Sequence, residues 1–176
     1  MATKKPIFIW ILFGILIIAA WLFGSVTQAG AETLNYKFYS WVIKAENSRV
    51  ADVKGHTVSY VVRESFVVFE NGEVATAYAV STADLVGGSG PFLQYATTTF
   101  ADGSTIISKD EGTVGVPAAG APTAGGWKSE LIKGTGRFEG IKGTRVAKVK
   151  YLPVEKWEAG PKAIGEATMT YTLPSK

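Results

Sequence analysis

The chain has 176 residues, of which 47% are hydrophobic and 19% are charged, and its net charge is +3. It contains no cysteine and a single histidine, His56. These counts exclude disulfide bonds, a cysteine nucleophile, a thiolate metal site and a zinc centre built from several histidines. A Ser-His-Asp triad would have to use His56. The length corresponds to one domain with a short appendage.

The appendage is an uncharged apolar run at residues 7–23, IFIWILFGILIIAAWLF. Its 17 residues are few for a membrane-spanning helix and many for the hydrophobic region of a signal peptide. Lys4 and Lys5 precede the run, and small residues that suit cleavage follow it at Ala29 and Ala31. The pattern predicts an N-terminal hydrophobic helix within residues 1–31. It is a signal peptide if cleaved, which the flanking residues favour, or a membrane anchor if not.

Removal of residues 1–31 would lower the net charge from +3 to +1, because Lys4 and Lys5 are lost and every acidic residue remains. Nucleic-acid-binding domains normally carry a clustered basic stripe. The nearest cluster is Arg145, Lys148 and Lys150, and on a strand Arg145 points away from the two lysines. We therefore expect no nucleic-acid partner.

Residues 32–176 show apolar residues alternating with a period of two, which predicts strands, and no segment has a convincing helical pattern. The predicted strands are 36–43, 58–69, 74–81, 92–100, 105–114, 130–133, 144–152 and 164–173. Asn71-Gly72 and Asp102-Gly103 lie between apolar runs and predict tight hairpins. Residues 44–57 and 82–91 read as loops.

Residues 115–127, GVPAAGAPTAGGW, contain no charge and consist mostly of Gly, Ala and Pro. They predict a flexible loop. The alternative is a flap that covers an opening, with Trp127 as its hydrophobic anchor.

About eight strands joined mostly by hairpins form a sandwich or a closed barrel, and closure removes the exposed edges that invite aggregation. The predicted fold is all-β, a single closed antiparallel barrel of about eight strands, lipocalin-like, in residues 32–176. Such a barrel is just wide enough to be filled by side chains or to hold one small ligand.

The most distinctive segment is 134–143, GTGRFEGIKG, with glycines at Gly134, Gly136, Gly140 and Gly143 around Phe138. It resembles the G-G-x-G-x-F-x-G-A-x-G stretch of the allene oxide cyclase and dirigent protein superfamily, which are eight-stranded antiparallel barrels. The order of hairpins and Gly-rich loops fits over residues 58–173, and the exported chain would be a bacterial member. We expect these five residues to shape a barrel corner, with Phe138 plugging one end.

The resemblance implies an apolar barrel that holds a hydrophobic small molecule. In the plant cyclases it would imply isomerisation of an unsaturated fatty-acid epoxide, and bacterial relatives include cyclases of polyketide-type products. Dirigent proteins steer radical coupling outside the cell. Segment 36–43 (YKFYSWVI) offers no acid or asparagine at the cyclases' catalytic positions, so catalytic residues are not carried over.

Arg63 and Glu64 interrupt an apolar strand, and since successive side chains face opposite sides, one of them should point into the barrel. The sequence does not decide which. A buried Glu64 would have a raised pKa and could act as a general acid or base, and it is the one candidate catalytic residue. The alternative is an exposed or ion-paired Glu64.

Aromatic side chains commonly line small-molecule sites. The candidate ligand-binding residues are Tyr60, Phe66, Tyr78, Tyr95, Trp127 and Tyr171, and Tyr36 and Tyr151 could also offer hydroxyls; core packing is the alternative for all of them. His56 lies in a polar loop and reads as a surface residue. Asp110-Glu111 offers too few acids for a calcium cage, so neither a metal nor a cofactor is expected.

Three functions remain open. The leading one is an exported cell-envelope barrel, periplasmic or secreted, that binds a small hydrophobic ligand. The second is a cyclase or isomerase that uses the same cavity without a metal or covalent nucleophile. The third is a structural or interaction subunit tethered to the outer face of the inner membrane by residues 7–23, its only membrane contact. A homo-oligomer is compatible with each.

Overall fold

The segments in which apolar residues alternate with a period of two form eight antiparallel strands in the computed structural model. The structure describes residues 30–115, 123–154, 156 and 158–175. The strands are β1 Glu32–Arg49, β2 His56–Phe69, β3 Val74–Val86, β4 Gly90–Phe100, β5 Thr105–Gly115, β6 Ala124–Gly134, β7 Lys142–Tyr151 and β8 Ala163–Thr172. Each pairs with the next, and β1 pairs with β8. The predicted closed barrel of about eight strands is thus confirmed.

Several strands are longer than the sequence predicts. β3 continues past Ser81 to Val86 and β4 begins at Gly90, so most of the loop predicted at residues 82–91 belongs to strands. β1 continues past Ile43 to Arg49, through an irregularity between Val42 and Lys44. β6 begins at Ala124, inside the segment predicted to be a loop, and its residues Gly125 and Gly126 pair with both β5 and β7. A Cβ at Gly125 would lie 2.8 Å from the carbonyl oxygen of Thr113, so glycine allows the close approach of a neighbouring strand there.

The two short hairpins form where Asn-Gly and Asp-Gly predict them. Gly72 and Gly103 both have positive φ, 86° and 80°. The backbone N–H of Phe69 donates to the carbonyl of Glu73, and that of Phe100 donates to the carbonyl of Ser104. These turns set the register of β2 with β3 and of β4 with β5.

One end of the barrel is closed by a packed core. A short 3-10 helix, Gly136–Phe138, follows β6 and delivers Phe138 into this end, where its side chain is buried. The Phe138 ring lies 4.7 Å from that of Phe100 and 6.2 Å from that of Tyr171, measured between centroids. Phe69, Ile106 and Met169 belong to the same cluster.

The glycine segment makes this plug possible. Gly136 has φ of 61°, a conformation that L side chains rarely adopt. A Cβ on Gly134 would collide with the carbonyl of Phe138. The chain therefore turns sharply between β6 and β7 and brings Phe138 back over the end of the barrel.

Gly30–Pro174 forms one compact unit. The predicted hydrophobic helix at 7–23 lies outside the described residues, as do 116–122 of the predicted loop or flap. Within the described parts of the chain, no helix has the length and apolar character needed to cross a membrane.

Candidate functional site

A cavity of about 740 Å³ occupies the barrel between the packed core and the opposite end. It exists because several strands place small side chains inward. On β3 four successive inward residues are small, Ala77, Ala79, Ser81 and Ala83, and they line the cavity together with Leu85 near the end of the strand. Such small side chains are too short to meet across an eight-stranded barrel.

The walls of the cavity are largely apolar and partly aromatic. Phe38, Phe92 and Trp127 lie side by side, with the Trp127 ring 5.6 Å from Phe38 and 6.2 Å from Phe92 between centroids. Two glycines leave room for these rings. A Cβ at Gly165 would collide with the Phe38 ring, and one at Gly112 would lie 2.6 Å from the Cβ of Trp127.

The side of the cavity nearer the core carries a buried ion pair. Arg145 on β7 donates from Nη2 to Asp110 on β5 at 2.8 Å, and to the hydroxyl of Ser108 at 2.6 Å. Its Nε donates to Ser129 at 3.0 Å, and Gln94 donates to the second carboxylate oxygen of Asp110 at 2.7 Å. Asp110 is fully buried, so this network fixes the guanidinium in one position.

Tyr36 lies beside this ion pair and also lines the cavity. Burial raises the pKa of its hydroxyl, while the nearby Arg145 acts in the opposite direction. Burial would lower the pKa of Arg145, but its interactions with Tyr36 and Asp110, which include hydrogen bonds to both, outweigh burial and the pKa is raised. A neutral phenol and a fixed cation therefore face the cavity at neutral pH.

Nearer the open end lies a second arginine, Arg63 on β2. Its Nη1 donates to the carbonyl of Pro161 at 3.0 Å, and its guanidinium lies 5.5 Å from the ring centroid of Tyr151. Burial lowers the pKa of Arg63, although a guanidinium remains protonated in proteins. Burial also raises the pKa of Tyr151. Both side chains line the cavity beneath the segment that joins β7 to β8.

The strand register settles which of Arg63 and Glu64 points inward. Arg63 lines the cavity together with Val61 and Ser65, and Glu64 is exposed on the outer face. The condition for a catalytic Glu64, burial within the barrel, is therefore not met. The sequence could not decide this because both faces of the strand are rich in apolar residues.

Four of the predicted ligand-binding residues lie on the outer face of the barrel. Each has 38–48% of its surface exposed: they are Tyr60, Phe66, Tyr78 and Tyr95. Tyr171 is buried in the core cluster at the closed end. The structure thus places five of the six predicted ligand-binding residues away from the cavity, four of them because alternate residues of each strand face opposite sides of the barrel. Trp127, Tyr36 and Tyr151 do line the cavity.

The inward ion pair of Arg145 and Asp110 is not predicted from the sequence. Arg145 alternates with the inward residues Ala147 and Val149, and Asp110 with Ser108. A charge on the apolar face of a strand was the available signal.

Asp110 and Glu111 face opposite sides of β5, and no group of three or more potential metal-binding residues occurs among the described residues.

His56 makes more contacts than a plain surface residue. Its Nδ1 lies 2.6 Å from Asp52 and its Nε2 lies 2.6 Å from Asp84. Hydrogen bonding to Asp52, and then to Asp84, raises the pKa of the imidazole. The three residues tie the β1–β2 loop to β3 at the open end of the barrel.

No protein-family model and no curated protein sequence matches this chain. Two solved structures, both of pterocarpan synthase dirigent proteins, are similar to it. The first has a TM-score of 0.50 and 14% identity, and covers 99% of this chain and 100% of that one. The second has a TM-score of 0.48 and 13% identity, and covers 85% of this chain and 99% of that one.

The first similarity bears on the dirigent part of the resemblance and adds nothing on allene oxide cyclases or on export. At 14% identity the first similarity concerns the fold alone. With its closed ring of eight antiparallel strands, the chain has a dirigent-like barrel fold.

Proposed function

We propose that this protein binds one small, mostly apolar molecule inside its barrel. The observation that carries the proposal is the cavity of about 740 Å³, walled by Phe38, Phe92 and Trp127. Pockets for small molecules typically measure about 300–1,000 Å³ and combine apolar walls with a few polar groups. Here Arg63, Arg145 and Tyr36 supply the polar groups.

An empty apolar cavity of this size costs stability, because the side chains around it lack partners for dispersion contacts. A bound apolar molecule would restore those contacts. Larger side chains at the inward alanines of β3 would restore them as well, yet the sequence has alanine at 77, 79 and 83. The small residues thus favour an occupied cavity over a barrel filled by its own side chains.

Mass spectrometry of small molecules extracted from the purified full-length protein tests this proposal. Ala79→Phe combined with Ala96→Phe narrows the cavity, because the two alanines are paired neighbours that both point inward. Thr76→Phe with Thr99→Phe is the matched control, a paired and exposed set on the outer face of the same two strands. We expect an enriched apolar molecule in the wild type and the control, and its loss from the narrowed barrel. Equal recovery from all three proteins would refute cavity binding.

A cyclase or isomerase acting on an apolar substrate is the second candidate. It is favoured by Tyr36 and Arg145, which present a phenol O–H and a fixed cation to the same cavity, where they could stabilise developing negative charge. Asp110 is fully buried and bonded to Arg145, so it is not placed to contact a substrate. Tyr36→Phe removes only the hydroxyl. If the extracted molecule is converted by the wild type and not by this variant, the protein is an enzyme.

We also propose that the barrel is exported, by a cleaved signal peptide at 1–31 or as a domain anchored by residues 7–23. The support is the apolar run with Lys4 and Lys5 before it and small residues after it. N-terminal sequencing of protein recovered from the cell envelope distinguishes the two. A start at Gly30 or Glu32 indicates cleavage, and an intact N-terminus indicates an anchor. Recovery from the cytoplasm alone would contradict export.

A further inference from the structure

The charged side chains described in the cavity lining are all positive. Among the described residues that line it there are two arginines, Arg63 and Arg145, and no aspartate or glutamate. Arg145 is neutralised from behind by Asp110, at 2.8 Å. Arg63 has no such partner, since no carboxylate of the described residues lies within 4.0 Å of its nitrogens. Counted over the described residues, the cavity therefore holds one positive charge without a carboxylate partner.

The surroundings of Arg63 satisfy only a small part of its bonding capacity. A guanidinium has five N–H donors. Within the described part of the chain, Arg63 donates one hydrogen bond, to the carbonyl of Pro161, and faces the ring of Tyr151. Arg63 is half-buried, so its charge is only partly exposed to water, and a partly desolvated charge without an ionic partner is costly. An anionic group that reached Arg63 would relieve this cost.

We propose that the cavity binds an amphipathic monocarboxylate, with its carboxylate on Arg63 and its apolar body against Phe38, Phe92 and Trp127. This inference rests on the proposed ligand-binding function and specifies the class of ligand. The planar fork of a guanidinium matches the two oxygens of a carboxylate, and such paired hydrogen bonds are among the strongest in proteins. One unpaired cation balances one negative charge, which favours a carboxylate over a doubly charged phosphate.

Arg63 and Arg145 have different roles in this arrangement. Arg145 is held by Asp110, Ser108 and Ser129, so most of its donors are already used. Arg63 lies towards the open end, where an entering ligand would leave its polar group last. The acid would thus enter with its apolar body first, towards the core, and its carboxylate would stay below the segment that joins β7 to β8.

Parinaric acid, a fluorescent polyene fatty acid, and its methyl ester test the inference, because the two probes share the same polyene chain and the methyl ester has no negative charge. Each is titrated into the full-length wild type at a pH at which the acid is ionised. We expect the acid to bind about tenfold to a hundredfold more tightly than the ester, which is the usual range for a charge-assisted hydrogen bond.

Arg63→Met keeps an apolar stem of similar length and removes the charge. It should lower the affinity for the acid to that for the ester, and leave the ester unchanged. Lys150→Met, on the exposed outer face of β7, is the matched control and should retain the preference of the wild type. Thermal unfolding checks that each variant is folded, and Arg63→Lys, which keeps the charge without the fork, should keep a reduced preference.

The outcomes separate this inference from the proposed function. If the wild type binds the ester as tightly as the acid, or if Arg63→Met weakens both probes equally, the monocarboxylate inference is wrong and cavity binding stands. If neither probe binds and no apolar molecule is extracted from the protein, the proposed function itself fails. The comparison of acid with ester in the wild type does not depend on the folding of any variant.

Discussion

Asp110 and Arg145 show how a charged pair can be kept inside an apolar barrel. Asp110 is fully buried, and its two oxygens accept from Arg145 and Gln94. Arg145 also donates to two serine hydroxyls. A buried ion pair is weak evidence for net stability, but loss of one partner leaves an uncompensated buried charge.

Asp110→Asn should therefore destabilise the protein by about 3–5 kcal/mol, because Arg145 would remain buried without its anionic partner. Urea unfolding of the variant and the wild type measures the difference. Glu111→Gln is the control, since Glu111 is exposed on the opposite face of the strand, and surface changes of this kind usually stay within about 0.5 kcal/mol. A loss at Asp110 no larger than at Glu111 would show that the ion pair does not hold the barrel together.

His56 is a second residue whose effect depends on its neighbours. It bridges Asp52 in the β1–β2 loop and Asp84 on β3, and the hydrogen bonds to them raise its pKa above the ordinary value of 6.5. A raised pKa means that the folded state binds the proton more tightly than the unfolded state. The protonated imidazole thus stabilises the loop at low pH.

The contribution of His56 is fully present below pH 6.5, its ordinary pKa, and is lost as the pH rises through the higher pKa of the folded state. Replacement of His56 by Gln should lower the urea midpoint most in acid, and the difference from the wild type should shrink as the pH rises above neutrality. Hydrogen bonding to His56 lowers the pKa of Asp52, so the contribution of Asp52 to stability is lost as the pH falls, opposite to that of His56. The urea midpoints are therefore compared above pH 5, where Asp52 stays ionised. A difference that grows with pH would contradict this sign.

Residue types alone predict the plug at Phe138 and the tight turns, but not which face of β2 is inner. The turns depend on local conformation, which Asn-Gly and Asp-Gly specify. Which face of β2 points inward depends instead on whether the barrel interior is open or filled by side chains. Where the interior is open, Val61 and Ser65 suffice to line it, and the larger Phe66 and Tyr60 point outward. The rule that large apolar residues lie inside fails there.

β3 shows the same principle at the scale of an element. Its inward column is small, with Ala75, Ala77 and Ala79 in succession, but this column crosses two environments. Ala75 belongs to the packed core at the closed end, and Ala79 lines the cavity. One strand therefore contributes both to the plug and to the binding space.

The two environments should respond differently to the same substitution. Ala75→Leu forces three extra carbon atoms against the packed core and should cost about 1–3 kcal/mol. Ala79→Leu extends into open space and should cost nothing or stabilise the fold. Denaturant unfolding of both variants gives the comparison. Equal losses would mean that the barrel is as tightly packed at Ala79 as at Ala75.

β6 shows why the extent of a strand is hard to predict. Gly125 and Gly126 follow a Gly-, Ala- and Pro-rich segment and resemble a loop in sequence, yet both pair with β5 and β7. Every strand of a closed barrel has hydrogen-bonded neighbours on both sides, and this pairing outweighs the weak strand preference of glycine. Local composition carries no signal of that long-range pairing.

At the scale of the whole molecule, the barrel divides its length between packing and binding. The closed end holds the aromatic cluster around Phe138, which stabilises the fold. The other part keeps an interior of about 740 Å³ with small and aromatic residues and two arginines. No disulfide can add stability, because the chain has no cysteine. Barrel closure and the packed end must therefore hold the cavity open.

Binding of an apolar molecule in the barrel interior is tested by titration of the full-length protein with the neutral fluorescent probe N-phenyl-1-naphthylamine. We expect saturable binding of one probe per chain in the wild type and in the outer-face control Thr76→Phe with Thr99→Phe. We expect loss of that binding in the narrowed barrel, Ala79→Phe with Ala96→Phe. Absence of saturable binding in the wild type, or unchanged binding in the narrowed barrel, would show that the barrel interior does not bind apolar molecules.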